Sequence, residues 1–221
     1  MSNAKEVIDA VQAGNVEHLR NLLDENPKMA ASRDAAGVSA LMHAVYRRQK
    51  AAIELLQQAG LNLDIFEVTA LGDVQSLATL VTREPSLVNT YSADGFTALH
   101  FAGFFSQPSA ARLLLERGAD HTAVARNPTS VTPLHSAASG GNLQTVGDLL
   151  AKGAPVNARQ QHGWTALHSA AQSGNLEMVN LLLQHGADPG IQNDEGVTAL
   201  DLAQKQKRSD VANRLTITQS A

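Results

Sequence analysis

Four segments of this chain return in register: TALHFAGFFS from Thr97, TPLHSAASGG from Thr132, TALHSAAQSG from Thr165 and TALDLAQKQK from Thr198. They begin 35, 33 and 33 residues apart. Each is followed by an apolar stretch, as in SAARLLLERGAD and NLEMVNLLLQHGAD. Such a period means one supersecondary unit used repeatedly, none of whose copies can bury its apolar face alone. Local chemistry supplies the unit's outline. Thr before Ala or Pro and Leu is an N-cap, and Pro133 takes the first helical position, where its missing N–H costs nothing. Gly14, Gly72, Gly141 and Gly174 fall where a first helix turns into a second, and Gly60, Gly118, Gly153 and Gly186 follow the second, where a left-handed residue ends it. Asn26 takes that last place in the first unit, being the other residue type that tolerates the conformation. The unit is helix, short turn, helix, extended connection.

These segments resemble the ankyrin repeat. The motif Thr-Pro-Leu-His-x-Ala is whole at Thr132, Pro133, Leu134, His135 and Ala137, and nearly whole at Thr97 with His100 and at Thr165 with His168; Gly-Ala-Asp follows at Gly118 and Gly186. Weaker copies start at Ser39 and, placed by Gly14 and Gly72, at Lys5 and Leu63. The resemblance implies an all-α solenoid of about seven stacked helix-turn-helix units with short β-hairpin fingers, first helices lining a concave face and second helices a convex back. It implies one domain over residues 1–215: an N-terminal capping unit 1–33, repeats 34–62, 63–93, 94–128, 129–161 and 162–194, and a C-terminal capping unit 195–215. Residues 216–221 read as a frayed tail. In the family the motif histidine ties adjacent repeats together.

Two departures interrupt the period. Only 24 residues separate Ser39 from Leu63, so one finger is missing near residue 61. The interval from Thr97 to Thr132 is two residues longer than the 33-residue period, with the excess between Ala123 and Val131, so the finger around Asn127 and Pro128 is expected to protrude. At the end, Asp201 replaces the motif histidine, and Lys205, Lys207, Arg208 and Asp210 make the last unit polar, as a cap requires.

Composition bounds the function. The chain has no cysteine, which removes disulfides and thiolate chemistry, and its net charge of −4 offers no basic stripe for nucleic acid. No apolar run is long enough for a membrane span and the N-terminus lacks a signal-peptide core, so cytoplasmic residence is the default expectation. His100, His135 and His168 share one motif position, and stacking should hold them about 8–10 Å apart. A metal ion, bonded at about 2 Å, cannot be shared across that gap. A structural role together with Thr97, Thr132 and Thr165 is expected, with no metal, cofactor or catalytic residue. His43, His121, His162 and His185 read as surface or loop residues. No phosphate-cradling loop, His-Glu-x-x-His or nucleophile elbow occurs.

The expected function is a non-catalytic protein–protein interaction scaffold, a monomer binding another protein through its concave face and fingers. The alternatives are an enzyme or small-molecule binder with an unrecognised site, or a self-associating assembly subunit. Four of the five phenylalanines lie between Phe96 and Phe105. At about 100° per residue, Leu99, Ala102 and Gly103 make the packed stripe, and Phe101, Phe104 and Phe105 fall on the other side. Polar residues hold the equivalent places in the next two repeats (Ser136, Ser139, Ser169, Gln172), which points to an open face. Phe96 and Trp164 precede the capping threonine, Tyr91 lies in the finger before Phe96, and Tyr46 aligns with Phe104. The candidate partner-binding set is therefore Phe96, Phe104, Phe105, Trp164, Tyr91, Tyr46, Phe101 and His162; the competing reading is that the rings fill a local core beside the irregular repeat.

Overall fold

The computed structural model describes residues 2–219. Among them, fourteen α-helices stand in seven pairs. The first four are α1 (Ser2–Ala13) with α2 (Val16–Glu25), α3 (Ala40–Tyr46) with α4 (Lys50–Gln58), α5 (Ile65–Leu71) with α6 (Val74–Arg83), and α7 (Ala98–Phe104) with α8 (Pro108–Glu116). The others are α9 (Pro133–Ser139) with α10 (Leu143–Ala151), α11 (Ala166–Ser173) with α12 (Leu176–Gln184), and α13 (Ala199–Lys205) with α14 (Ser209–Gln219). First helices pack on first helices to form an inner row, and second helices form an outer row, giving the expected all-α solenoid. The outer row is close-packed from α6 to α14 and at α2 against α4, and thins between α4 and α6.

The motif leucines Leu99, Leu134 and Leu167 are buried against Leu114, Leu149 and Leu182 of the outer helices. Each such burial contributes about 1.5–3 kcal/mol relative to exposure. Ser39, Thr97, Thr132, Thr165 and Thr198 are the N-caps of their inner helices. The inner-to-outer turn needs positive φ. Gly14, Gly72, Gly141 and Gly174 supply it, and Arg48, Ser106 and Lys207 adopt it at 54°, 58° and 56° in the other units.

Three local expectations are corrected. Asn26 is extended, at φ −151°, because Pro27 follows it and a proline ring excludes the helical region from the residue before it. Its side chain instead accepts from the Lys28 N–H and opens a 3-10 turn, Pro27–Ala31; Glu84 before Pro85 is also extended, at φ −139°, and precedes a second 3-10 turn without a side-chain cap bond. Helix α5 is capped by Asp64, one residue past Leu63. Asp64 accepts from the Phe66 and Glu67 N–H groups while Glu67 accepts from that of Asp64, a closed capping box. Helix α14 runs on to Gln219, through most of the segment expected to fray. Arg214 donates to Asn180 of α12 and to the Thr218 hydroxyl, and the Thr216 and Thr218 hydroxyls donate back to Ala212 and Arg214 carbonyls. Ser220 and Ala221 lie outside the described residues.

The repeats are joined by their histidines. Thr97 N–H donates to His100 Nδ1 at 3.2 Å, so the ring proton resides on Nε2, which donates to Val131 O at 3.1 Å in the next finger. His135 reaches Ala158 O at 2.9 Å and His168 reaches Val197 O at 3.1 Å in the same way. Asp201 keeps the local half of this arrangement, accepting from Thr198 N and Oγ1, and as a carboxylate it has no proton to donate onward.

Fingers close at Asp34 with Val38, Ser92 with Phe96, Ala125 with Val131, Gln160 with Trp164 and Asn193 with Val197. None stands between α4 and α5, which are joined directly through residues 59–64. The first two fingers therefore meet: a Cβ added to Gly37 would lie 3.1 Å from that of Ala93. From residue 94 onward the fingers form a ladder. Arg126 N donates to Gly95 O, Gln161 N to Thr129 O and Asp194 N to His162 O. The long finger spends its extra residues on this ladder, with Asn127 Nδ2 also donating to Asp94 O at 2.7 Å.

Two stability predictions follow from this packing. Burial holds His100 down to about 4, from an ordinary 6.5, against the pull of its bond to Val131; burial also lowers His135 and His168. The unfolded chain takes up these protons first as pH falls. Their stabilisation is therefore complete above 6.5 and is lost as pH falls toward about 4. Asp73, Asp120 and Asp201, held below 3.8 chiefly by hydroxyl bonds from Ser76, Thr122 and Thr198, act lower still. Urea midpoints should fall across the histidine window, and His135→Ala should cost about 1–3 kcal/mol at neutral pH while flattening that slope; midpoints insensitive to pH there would contradict the assignment. Gly103 is the second case. Helix propensity favours Gly103→Ala by up to about 1 kcal/mol. The new Cβ, however, would stand 2.9 Å from Ala137 N and 3.1 Å from its Cα, so a net loss of about 1–3 kcal/mol is expected on thermal or urea unfolding.

Candidate interaction groove

The five phenylalanines form one connected group, with Phe101 at its centre. Its ring lies 5.8 Å from Phe66, 5.9 Å from Phe96, 6.2 Å from Phe105 and 6.4 Å from Tyr46. Phe104 meets Phe105 edge-on at 5.2 Å. With no finger between α4 and α5, Phe66 of α5 and Tyr46 of α3 both reach Phe101 of α7. The Tyr46 hydroxyl donates to Asp94 at the tip of the second finger, and burial followed by that bond raises its pKa well above the usual phenol range. Beside it, Arg33 bonds Asp64 Oδ2 at 3.1 Å and lies 3.6 Å from Glu67 Oε1, joining the first finger to the capping box of α5.

Helical direction alone misplaced one of these rings. Phe101 is 3% exposed, whereas Phe104 is 44% exposed and Phe105 is half-buried between Tyr46 and Phe101. Phe101 occupies the fourth position of its helix, directly under the finger base. The equivalent Ser136 is itself only 6% exposed. A small polar residue at this place is therefore not by itself a mark of contact with water. His43, expected at the surface, is mostly covered and bonds Asp34 at 2.8 Å.

Beside the aromatic group a groove of about 420 Å³ opens between the inner helices and the finger ladder. Tyr46, Phe96, Phe101, Phe104 and Trp164 supply its apolar walls together with Val131. His100, His135 and Ser136 form the floor, and Ser139, Thr129, Gln160, Gln161 and His162 the rim. Six of the eight residues singled out in the sequence line it. Phe105 packs behind the wall. Tyr91 faces the other way, with its ring under the Arg126 guanidinium at 3.9 Å and its hydroxyl donating to Val124 O. Thr129, Val131, Gln160 and Gln161 carried no motif signal; the two-residue excess in the third finger was the only pointer to the first two. Both departures from the repeat thus converge here: the missing finger admits Tyr46, and the long one brings Thr129 and Val131 over the inner helices.

The groove holds no constellation for chemistry. Both floor imidazoles are spent on backbone groups at each nitrogen. Among the described residues no group of three or more His, Cys, Asp or Glu could hold a metal ion, and no helix is long and apolar enough to cross a membrane.

The burial difference gives a sharp expectation for the rings. Phe101→Ala should cost about 3–5 kcal/mol, and Phe104→Ala about 0.5 kcal/mol or less, measured by urea unfolding. Equal costs would contradict the placement of Phe101 as the hub.

The family model for ankyrin repeats, described as three copies, matches residues 7–125 and 134–220. Among curated proteins, this chain is 45% identical over 145 residues to the mitochondrial disaggregase of Bos taurus, covering 61% of this chain and 21% of that protein. It is 36% identical over 94 residues to a probable E3 ubiquitin-protein ligase of Oryza sativa subsp. japonica, covering 42% and 21% respectively. With ankyrin repeat and SAM domain-containing protein 6 of Rattus norvegicus it shares 39% identity over 104 residues, 46% of this chain and 11% of that one. This chain spans about a fifth or less of the length of these relatives. With motif, helix pairing and family model in agreement over most of its length, the chain belongs to the ankyrin repeat family.

Proposed function

We propose that this chain is a non-catalytic interaction module that binds a protein partner through the groove at its inner face and the adjoining finger ladder. Ankyrin repeats are generally protein–protein interaction modules. The observation that carries the present reading is the groove itself: an open, largely aromatic wall beside a polar rim, placed where the repeat is broken. Exposed aromatic clusters of this kind dominate binding hot spots. The spent imidazoles of His100 and His135 support a non-catalytic role, since a general acid or base needs a free nitrogen within reach of substrate, and His162 at the rim has no Asp, Glu, Lys or Cys in the groove lining to work with. Net charge and the lack of a basic stripe support a protein over a nucleic acid. The activities named for the longer relatives belong to those proteins.

The test is affinity capture from cell extract with wild type, Phe104→Asp and Ser139→Trp. Phe104 and Ser139 are exposed at the groove, so both variants should keep the wild-type unfolding midpoint. Each should lose the captured protein by about tenfold or more, as hot-spot changes do. Capture unchanged by both variants would contradict the proposal, as would ligand-induced thermal stabilisation by small metabolites alone.

A further inference from the structure

The chemistry of the groove narrows what can fill it; the following rests on its role as the binding surface. No Lys, Arg, Asp or Glu lines it, and its one imidazole outside the repeat ties is that of His162, exposed at the rim and away from the aromatic wall's own packing. His100 and His135 each accept at Nδ1 and donate from Nε2, which leaves two neutral rings without a free site. Asp94, behind the Tyr46 ring, already accepts from the Tyr46 and Ser92 hydroxyls. An ion entering here would exchange water for aromatic carbon with no counter-charge, which is unfavourable.

Ring faces can attract a cation, but only when turned toward it. The phenylalanines are packed on one another: Phe101 lies parallel to Phe105 within 4°, Phe96 meets Phe101 at 71°, and Phe104 meets Phe105 at 83°. Trp164, whose ring partner is His168 at 5.8 Å, stands outside that cluster, so the rings of the wall are not assembled as one cage. At the rim, the side chains of Gln160, Gln161 and Ser139 make no bond with other described residues, and amide and hydroxyl groups of this kind match the donors and acceptors of a peptide backbone.

We infer that the groove receives one bulky, uncharged apolar side chain, branched aliphatic or aromatic, carried on an extended segment of the partner protein whose backbone amides bond Gln160, Gln161 and Ser139. The match is of neutral with neutral: an apolar side chain loses nothing by leaving water for this wall, and its flanking amides find partners at the rim.

The probe is a random peptide library panned on the full-length chain, followed by synthetic peptides titrated against the emission of Trp164, the chain's single tryptophan, which stands in the groove wall. Enriched peptides should share one bulky apolar residue. Its replacement by Lys, Nε-trimethyl-Lys, Glu or Ala should weaken binding by about tenfold or more, and Ser139→Phe, which fills the groove without adding a second tryptophan, should abolish the emission change while leaving the unfolding curve intact. Tight peptides centred on a charged residue and blocked by Ser139→Phe would overturn the inferred occupant but leave the groove as the binding surface. Apolar-centred peptides indifferent to Ser139→Phe and Phe104→Asp would overturn the groove itself. A library with no enrichment overturns the inference.

Discussion

Each complete repeat depends on one neutral imidazole. His100, His135 and His168 accept from the capping threonine behind them and donate to a finger carbonyl ahead, so one side chain both closes an inner helix and fixes where the next repeat sits. Burial keeps the ring neutral, and neutrality is what lets one nitrogen accept while the other donates. A protonated ring would have two donors and would break the threonine half. The same arrangement leaves these three histidines no free ring nitrogen.

This tie requires a following finger, and the chain lacks one between its second and third helix pairs. Met42 stands at the histidine place in α3, and Glu67 stands there in α5, turned back toward Arg33 of the first finger. The buried apolar residues separate into two groups near this point, one over the first two pairs with Ala70 of α5, and one from Ile65 of α5 onward, with Leu63 and Phe66 touching both. Aromatic packing takes over what hydrogen bonds do elsewhere. Phe101, though carried on α7, packs with the first group, and Tyr46 of α3 reaches across to Asp94. The groove lies beside this repair, and through Tyr46 and Phe101 one end of the surface proposed to bind a partner touches the seam between the two packed blocks.

Much of this architecture was legible in the sequence because its signals are local. A capping threonine, a proline at the first helical position and a glycine at positive φ each act within one turn, and the spacing of their recurrence revealed both departures from the period. What was not legible depended on what lies above a residue. Helical angle places Phe101 away from the leucine stripe but does not report the finger base overhead, and Ser136 looked like a solvent marker while being buried. Tyr91 was assigned to the groove side although Arg126, in the next finger, draws its ring elsewhere. Asn26 shows a local rule overruled by a closer one: its tolerance of left-handed backbone is cancelled by the proline that follows it.

Native-state hydrogen exchange tests the central claim, that aromatic packing at the seam replaces the missing tie, most directly. Repeat stability sums from each unit and its interfaces, and cooperative opening follows the weakest of them. The amides of α3 and α4 are therefore predicted to open together at a lower free energy than those of α9 to α12, with the boundary at α5. A single opening free energy shared from α3 through α12 would contradict the account.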